Sequence, residues 1–462
     1  MKKFFQPFAT LLMLTVLITT GQGCFKGSTA ASQEKVELEY WRVFDDEDSM
    51  KDIITAYRST HPNVKINYKK LRFDEYESEL LRALAEGRGP DILSIHNTWL
   101  PAYQNLLLPM PDSVTVTEQE TQGTLRKEVV VVNKVKPTMS IRELKANFVE
   151  QVPKDVILPY QPDPDIAATD KIYGFPLSVD SMALFYNKDL LSAAGIATPP
   201  TDWTVFISDV EKLTQYDDQG NIKQSGAAIG SAKNVERASD ILSLLMIQNG
   251  TQMTDDQGRI AFHLIPDETP ADVFPGLDAV EFYTDFSDPT KKAYTWNDSM
   301  PTSFEAFAAG KTAFFFGYSY HIPLIRTAAP KLNFAISGMP QIVGGKTANF
   351  ANYWVESVSK DTKNPDWAWD FLTFATSQEQ VSSYLTAANK PTALRNLINT
   401  QLENEDLSAF ATQVLTAESW YHGMDVAATD EALQDLIDGI ATNPEKPEKV
   451  IVDSAKKVMQ TY

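Results

Sequence analysis

Two loops bring aromatic rings together with planar hydrogen-bonding groups. One runs from Trp41 to Asp48 and carries Trp41, Arg42 and Asp45; the other holds His96, Asn97, Thr98 and Trp99. A flat ring offers a surface to apolar C–H faces, while carboxylate, amide and guanidinium groups hydrogen-bond in a plane. Such a set grips a polyhydroxylated solute by contact, with no covalent step. The chain holds 8 Trp and 17 Tyr, so plates are plentiful, and most must serve cores. Trp203, Trp367 and Trp369 fit packing roles, and His96 fits a hydrogen-bonded structural histidine.

The elements before those loops explain why the loops should meet. Val36, Leu38 and Tyr40 alternate with Glu37 and Glu39, which is strand period. Asp48 could cap a helix with Met50, Ile53, Ile54 and Tyr57 on one face, and His61-Pro62 stops it. Val64 to Tyr68 is a second strand, Asp74 starts a second helix, and Asp91 to Ile95 is a third strand. The β-α-β-α-β order implies parallel strands with right-handed crossovers. Ligands of such sheets lie beyond the carboxyl ends of the strands, which is where both loops fall.

From Pro111 to Lys154 the pattern weakens, and part of this stretch reads as an insertion. Within it Glu128 to Val135 suits a strand, and Ser140 to Val149 suits a helix capped by Ser140. Lys171 to Asn187 reads as strands and Lys188 to Gly195 as a helix ending in glycine. Past Trp203 the chain turns mostly helical, with Thr312 to Phe316 a strand. Two segments share Asp-Asp-Gln-Gly, at Asp217 to Gly220 and Asp255 to Gly258. A calcium loop needs oxygen ligands at about six positions and a late Glu, so both segments read as turns.

Covalent chemistry finds little support. The sequence has no Gly-x-Ser-x-Gly, no His-Glu-x-x-His and no phosphate-cradling glycine loop. Its 5 histidines are scattered, and no metal or cofactor is expected. With 61 Asp and Glu, a glycosidase carboxylate pair survives as an alternative on numbers alone. The formal net charge of −20 repels phosphate backbones, which argues against nucleic-acid binding. At 462 residues the chain suits two lobes.

Lys2 and Lys3, then the apolar run Phe8 to Thr20, have signal-peptide architecture over residues 1–23. Cys24 follows Gly23 and is the chain's one cysteine. This junction resembles the lipobox of bacterial lipoproteins, although Gly21 stands where that motif favours leucine. The resemblance implies lipidation at Cys24, a tether over 24–34, and anchoring to the outer face of the cytoplasmic membrane.

Several stretches resemble the bacterial extracellular solute-binding proteins of the maltose-binding type. They are Glu39 to Val64, Gly89-Pro90-Asp91-Ile92-Leu93, Tyr173-Gly174-Phe175-Pro176, Phe185 to Leu190, and Pro199 to Trp203. Phe304 to Ala313, Asn364 to Phe374 and Ser419-Trp420-Tyr421 complete the series. The resemblance covers nearly all of the mature chain. It implies an α/β, two-lobe periplasmic-binding-protein-like fold of type II with a ligand cleft between the lobes. The first lobe would take 35–178 plus 356–388 and the second 180–350 plus 391–462. Crossings would fall near Val179, Trp354 and Lys390. It implies further ligand contacts at Asp180, Tyr318, Tyr320, Trp354, Trp420 and Tyr421, and supports Asn97 and Trp99. The implied function is capture of a mono- or oligosaccharide for the permease subunits of an ABC transporter. Within that class a polyamine or peptide remains open, because the loop Asp45 to Asp48 is acidic.

Overall fold

The computed structural model describes residues 33–122, 128–267, 269–270 and 272–462. The expected leader, Cys24 and most of the expected tether lie outside them. The first strands form as their alternation requires: β1 (Val36–Val43), β2 (Val64–Leu71) and β3 (Ile92–His96). β1 pairs in parallel with both others, and Trp354–Val358 adds an antiparallel edge beside β3. Between the strands run α1 (Glu47–Thr60) and α2 (Phe73–Ala85). Both start earlier than their expected caps. Asp48 and Asp74 sit instead in the first turns, where a carboxylate opposes the positive end of the helix dipole.

The stretch after Pro111 holds a two-stranded antiparallel hairpin, β4 (Ser113–Gln122) with β5 (Glu128–Pro137). β4 escaped the sequence reading because it is mostly polar; Val114 and Val116 are its buried residues. Ser140 caps Ile141–Asn147 as expected, and Glu143 returns the bond to the Ser140 N–H at 2.8 Å. Both Asp-Asp-Gln-Gly segments are turns. Asp217 and Asp255 accept from the backbone N–H groups two and four residues on, and Gly220 and Gly258 have φ of +84° and +75°.

A second sheet runs Gln215–Tyr216, Ile222–Ala227, Thr312–Gly317, Ala183–Asn187, Phe334–Ser337. Its central strand shows period two. Phe314 and Phe316 enter one core with Phe206 and Leu184, while Phe315 meets Phe185 and Phe307 on the other face. The first lobe has its own core around Leu38, Tyr40, Ile92, Phe175, Val355 and Trp369. A small sheet of Asp180–Ser181, Asn349–Asn352 and Ala417–Glu418 lies where the chain passes between the two.

Candidate functional site

The carboxyl ends of β1, β2 and β3 make one rim. After β1 the Asp45 N–H donates to the Val43 carbonyl at 2.8 Å, closing a three-residue turn centred on Phe44. Phe44 has φ of +69°. This is the rare γ-turn hand, and such strain in a bulky residue costs about 1–3 kcal/mol. The turn persists because Asp45 is pinned. Its carboxylate pairs with Lys390 at 2.6 Å and Arg42 at 3.0 Å and accepts from the Tyr384 hydroxyl at 2.9 Å. Its carbonyl accepts from the Tyr68 hydroxyl at 2.7 Å. Arg42 also pairs with Glu356 at 3.0 Å, and Glu356 accepts from the Tyr40 and Ser94 hydroxyls. Burial pushes the Asp45 carboxyl up, but Arg42 and Lys390 outweigh this and hold it below the usual range. Arg42 and Asp45 are 3 % and 8 % exposed. They turn inward and hold the turn that lifts Phe44 out.

Phe44 stands 52 % exposed beside Phe73, which follows β2; the two stack at 5.6 Å. Both meet Trp354 edge-on, at 6.0 and 6.3 Å. Tyr76, His96 and Trp99 press their edges on the same indole. Trp99 also stacks on Tyr103 at 5.8 Å. From the other lobe Tyr320, 43 % exposed, lies parallel to Phe44 at 6.5 Å. The structure thus brings Trp99, Tyr320 and Trp354 together, and adds Phe44, Phe73 and His96.

His96 is neutral here. Burial is the main cause, and it lowers the imidazole to about 4. Nε2 faces Asn352 Oδ1 at 3.2 Å and so carries the proton; Nδ1 then accepts from the Thr98 hydroxyl at 2.8 Å. Asp180 lies beside Tyr320's lobe and accepts from the Ser319 N–H and hydroxyl at 2.9 and 2.6 Å. Burial pushes its carboxyl up to about 7, against the pull of those donors. Arg237 is paired with Asp240, with Nε and Nη2 both on Oδ2 at 2.7 and 2.6 Å. Among the described residues no group of three or more acidic, His or Cys side chains is placed to hold a metal.

Five other residues expected at the site, Trp41, Asn97, Tyr318, Trp420 and Tyr421, are buried. Trp41 belongs to β1 itself and packs under Lys69, whose ammonium is 4.1 Å from the ring centroid. Asn97 is buried and donates to Asp155 at 3.0 Å and Ser419 at 2.9 Å. Tyr318 is a core residue, its hydroxyl bonded to Asp240 at 2.6 Å. Trp420 is 8 % exposed in the second core, with its indole N–H on Ser243 at 3.0 Å. Tyr421 bonds Thr461 and receives the Asp425 N–H. Phe44 and Phe73 were missed, yet one signal was available. The strand-end rule picked out the loops after β1 and β3; applied to β2 it gives Phe73.

One buried carboxylate ties the lobes. Asp155 accepts from Asn97, Gln151 at 2.7 Å and Tyr353 at 2.6 Å on its own side. From the other side come Ser419 at 3.2 Å and His422 at 3.1 Å. Burial opposes the charged form of His422, but the hydrogen bond to Asp155 outweighs it and raises the imidazole.

With this geometry in place, four similarities bear on it. The family described as bacterial extracellular solute-binding protein matches residues 52–412. A binding protein of Brucella abortus is 21 % identical over 431 residues, 88 % of each chain. An ABC transporter-binding protein of Deinococcus radiodurans is 24 % identical over 226 residues, 48 % of this chain and 51 % of that one. Among solved structures, a cyclo/maltodextrin-binding protein complexed with maltotetraose superposes with TM-score 0.69. It is 16 % identical and is matched over 93 % of this chain and 98 % of that one.

Proposed function

The chain belongs to the bacterial extracellular solute-binding proteins, and from that membership we propose that it captures a carbohydrate between its lobes for the permease of an ABC transporter. One observation carries the reading. Half-exposed rings at the carboxyl ends of parallel strands face a half-exposed ring on the other lobe. Apolar plates around a gap suit the C–H faces of a sugar, and the neutral imidazole of His96 beside them suits an uncharged ligand. The solved relative with maltotetraose supports the same class. The polyamine alternative loses its motive, since Asp45 is already neutralised by Arg42 and Lys390.

On this reading Cys24 carries the lipid that keeps the receptor at the membrane, and the segment before Val36 is its tether. Among the described residues no helix is long and apolar enough to cross a membrane.

The test is a thermal-shift screen of the mature chain against saccharide and amine libraries. A saccharide present at about 100 times its Kd should stabilise the protein by about 2.7 kcal/mol. Shifts from amines with none from any saccharide would overturn the proposal.

A further inference from the structure

Three near-parallel ring pairs link four aromatic side chains from one lobe to the other. Tyr318 stacks on Tyr320 at 5.9 Å and 19°, Tyr320 on Phe44 at 6.5 Å and 2°, and Phe44 on Phe73 at 5.6 Å and 20°. The first two rings belong to one lobe and the last two to the other. The Phe44–Tyr320 joint is the widest of the three, and it is the one a hinge motion would part. Phe44 is held there by a strained turn whose next residue, Asp45, is fixed by three side chains. Its ring is therefore presented on a stiff mount.

We propose that Phe44 and Tyr320 clasp one pyranose ring of the ligand from both faces, and so select sugars whose two faces are both apolar. The inference rests on the carbohydrate reading of the gap. A ring touching both plates at about 3.5–4.0 Å needs planes about 7–8 Å apart. The present 6.5 Å falls short of that. The sugar thus enters with the lobes parted and is gripped as they close. In β-gluco and β-xylo pyranosides every ring oxygen substituent is equatorial, and axial C–H bonds cover both faces. A galacto or manno ring carries one axial hydroxyl. Against a single plate such a ring turns its apolar face inward. Between two plates the axial hydroxyl meets an aromatic face, loses its water and finds no acceptor.

The experiment is calorimetric titration of the wild type, Phe44→Ala and Phe44→Leu. The probes are matched gluco-, galacto- and manno-configured methyl β-glycosides and β-linked di- and tetrasaccharides. The wild type should prefer the gluco probes by about tenfold or more. Both variants should lose about tenfold on the gluco probes and bring the three series within about threefold of one another. Phe44→Leu keeps apolar bulk without a flat face, so it separates stacking from mere burial. Unfolding curves matching the wild type establish that the variants are folded. Saccharide binding with an unchanged preference in the variants, or a wild type that favours galacto or manno probes, sinks the clasp and leaves the carbohydrate reading standing. No saccharide binding by the wild type sinks both.

Discussion

Arg42 and Asp45 carry charge to a place where neither meets solvent, and that decides what they do. A buried ion pair is weak evidence for stability, but removing one partner strands the other. Asp45→Ala leaves Lys390 and Arg42 short of a carboxylate and frees the turn under Phe44. The expected loss is about 3–5 kcal/mol of unfolding free energy in urea titrations. A change under about 1 kcal/mol would mean that the network does not hold the turn. The sequence showed that this loop lies at a strand end. It did not show which side chains face outward, because Arg42 and Asp45 have partners 314 and 345 residues further on, at Glu356 and Lys390. The surroundings of Trp420 were illegible for the same reason: its indole N–H partner, Ser243, lies 177 residues away.

At the scale of elements, strands with clean alternation were legible and the polar hairpin was half legible. β4 buries little, so its pattern is faint; it gains its place by docking on the helix Pro365–Ala375, where the Thr115 N–H meets Asp366 at 3.1 Å. Lys136 of β5 completes the dock by pairing with Asp370 at 3.1 Å and Glu118 at 2.8 Å. Asp370 is otherwise bound by the Tyr57 hydroxyl at 2.8 Å. Lys136→Ala should therefore loosen the hairpin and cost about 2 kcal/mol of stability. Faster amide exchange in β4 and β5 alone would localise the effect there. Uniform exchange across the lobe would contradict the docking role.

For the whole molecule, the region between the lobes is where titration meets motion. Asp180 lies on the small sheet that joins the crossings, and its carboxyl is raised by burial to about 7. The folded chain then keeps a proton that the unfolded chain releases near 4. Between about 4 and about 7 the unfolded state binds fewer protons, so stability falls as pH rises, and the full cost persists above 7. Asp180→Asn should remove that slope, gaining on the wild type as pH climbs through this window. Parallel pH profiles in urea unfolding would show that the carboxyl titrates normally. The two-lobe architecture itself was legible from motif order, whereas the Asp155 knot was not. Its donors come from five separate positions between Asn97 and His422, and sequence spacing carries no trace of their convergence.

The γ-turn at Phe44 has a bearing on descent as well as on binding. Left to fold stability alone, mutation would drift this position toward glycine or asparagine, which take positive φ at little cost. A phenylalanine there carries a backbone cost of about 1–3 kcal/mol that either of those residues would largely avoid. Phe44→Gly should therefore fold at least as stably as the wild type in urea titrations while removing the ring.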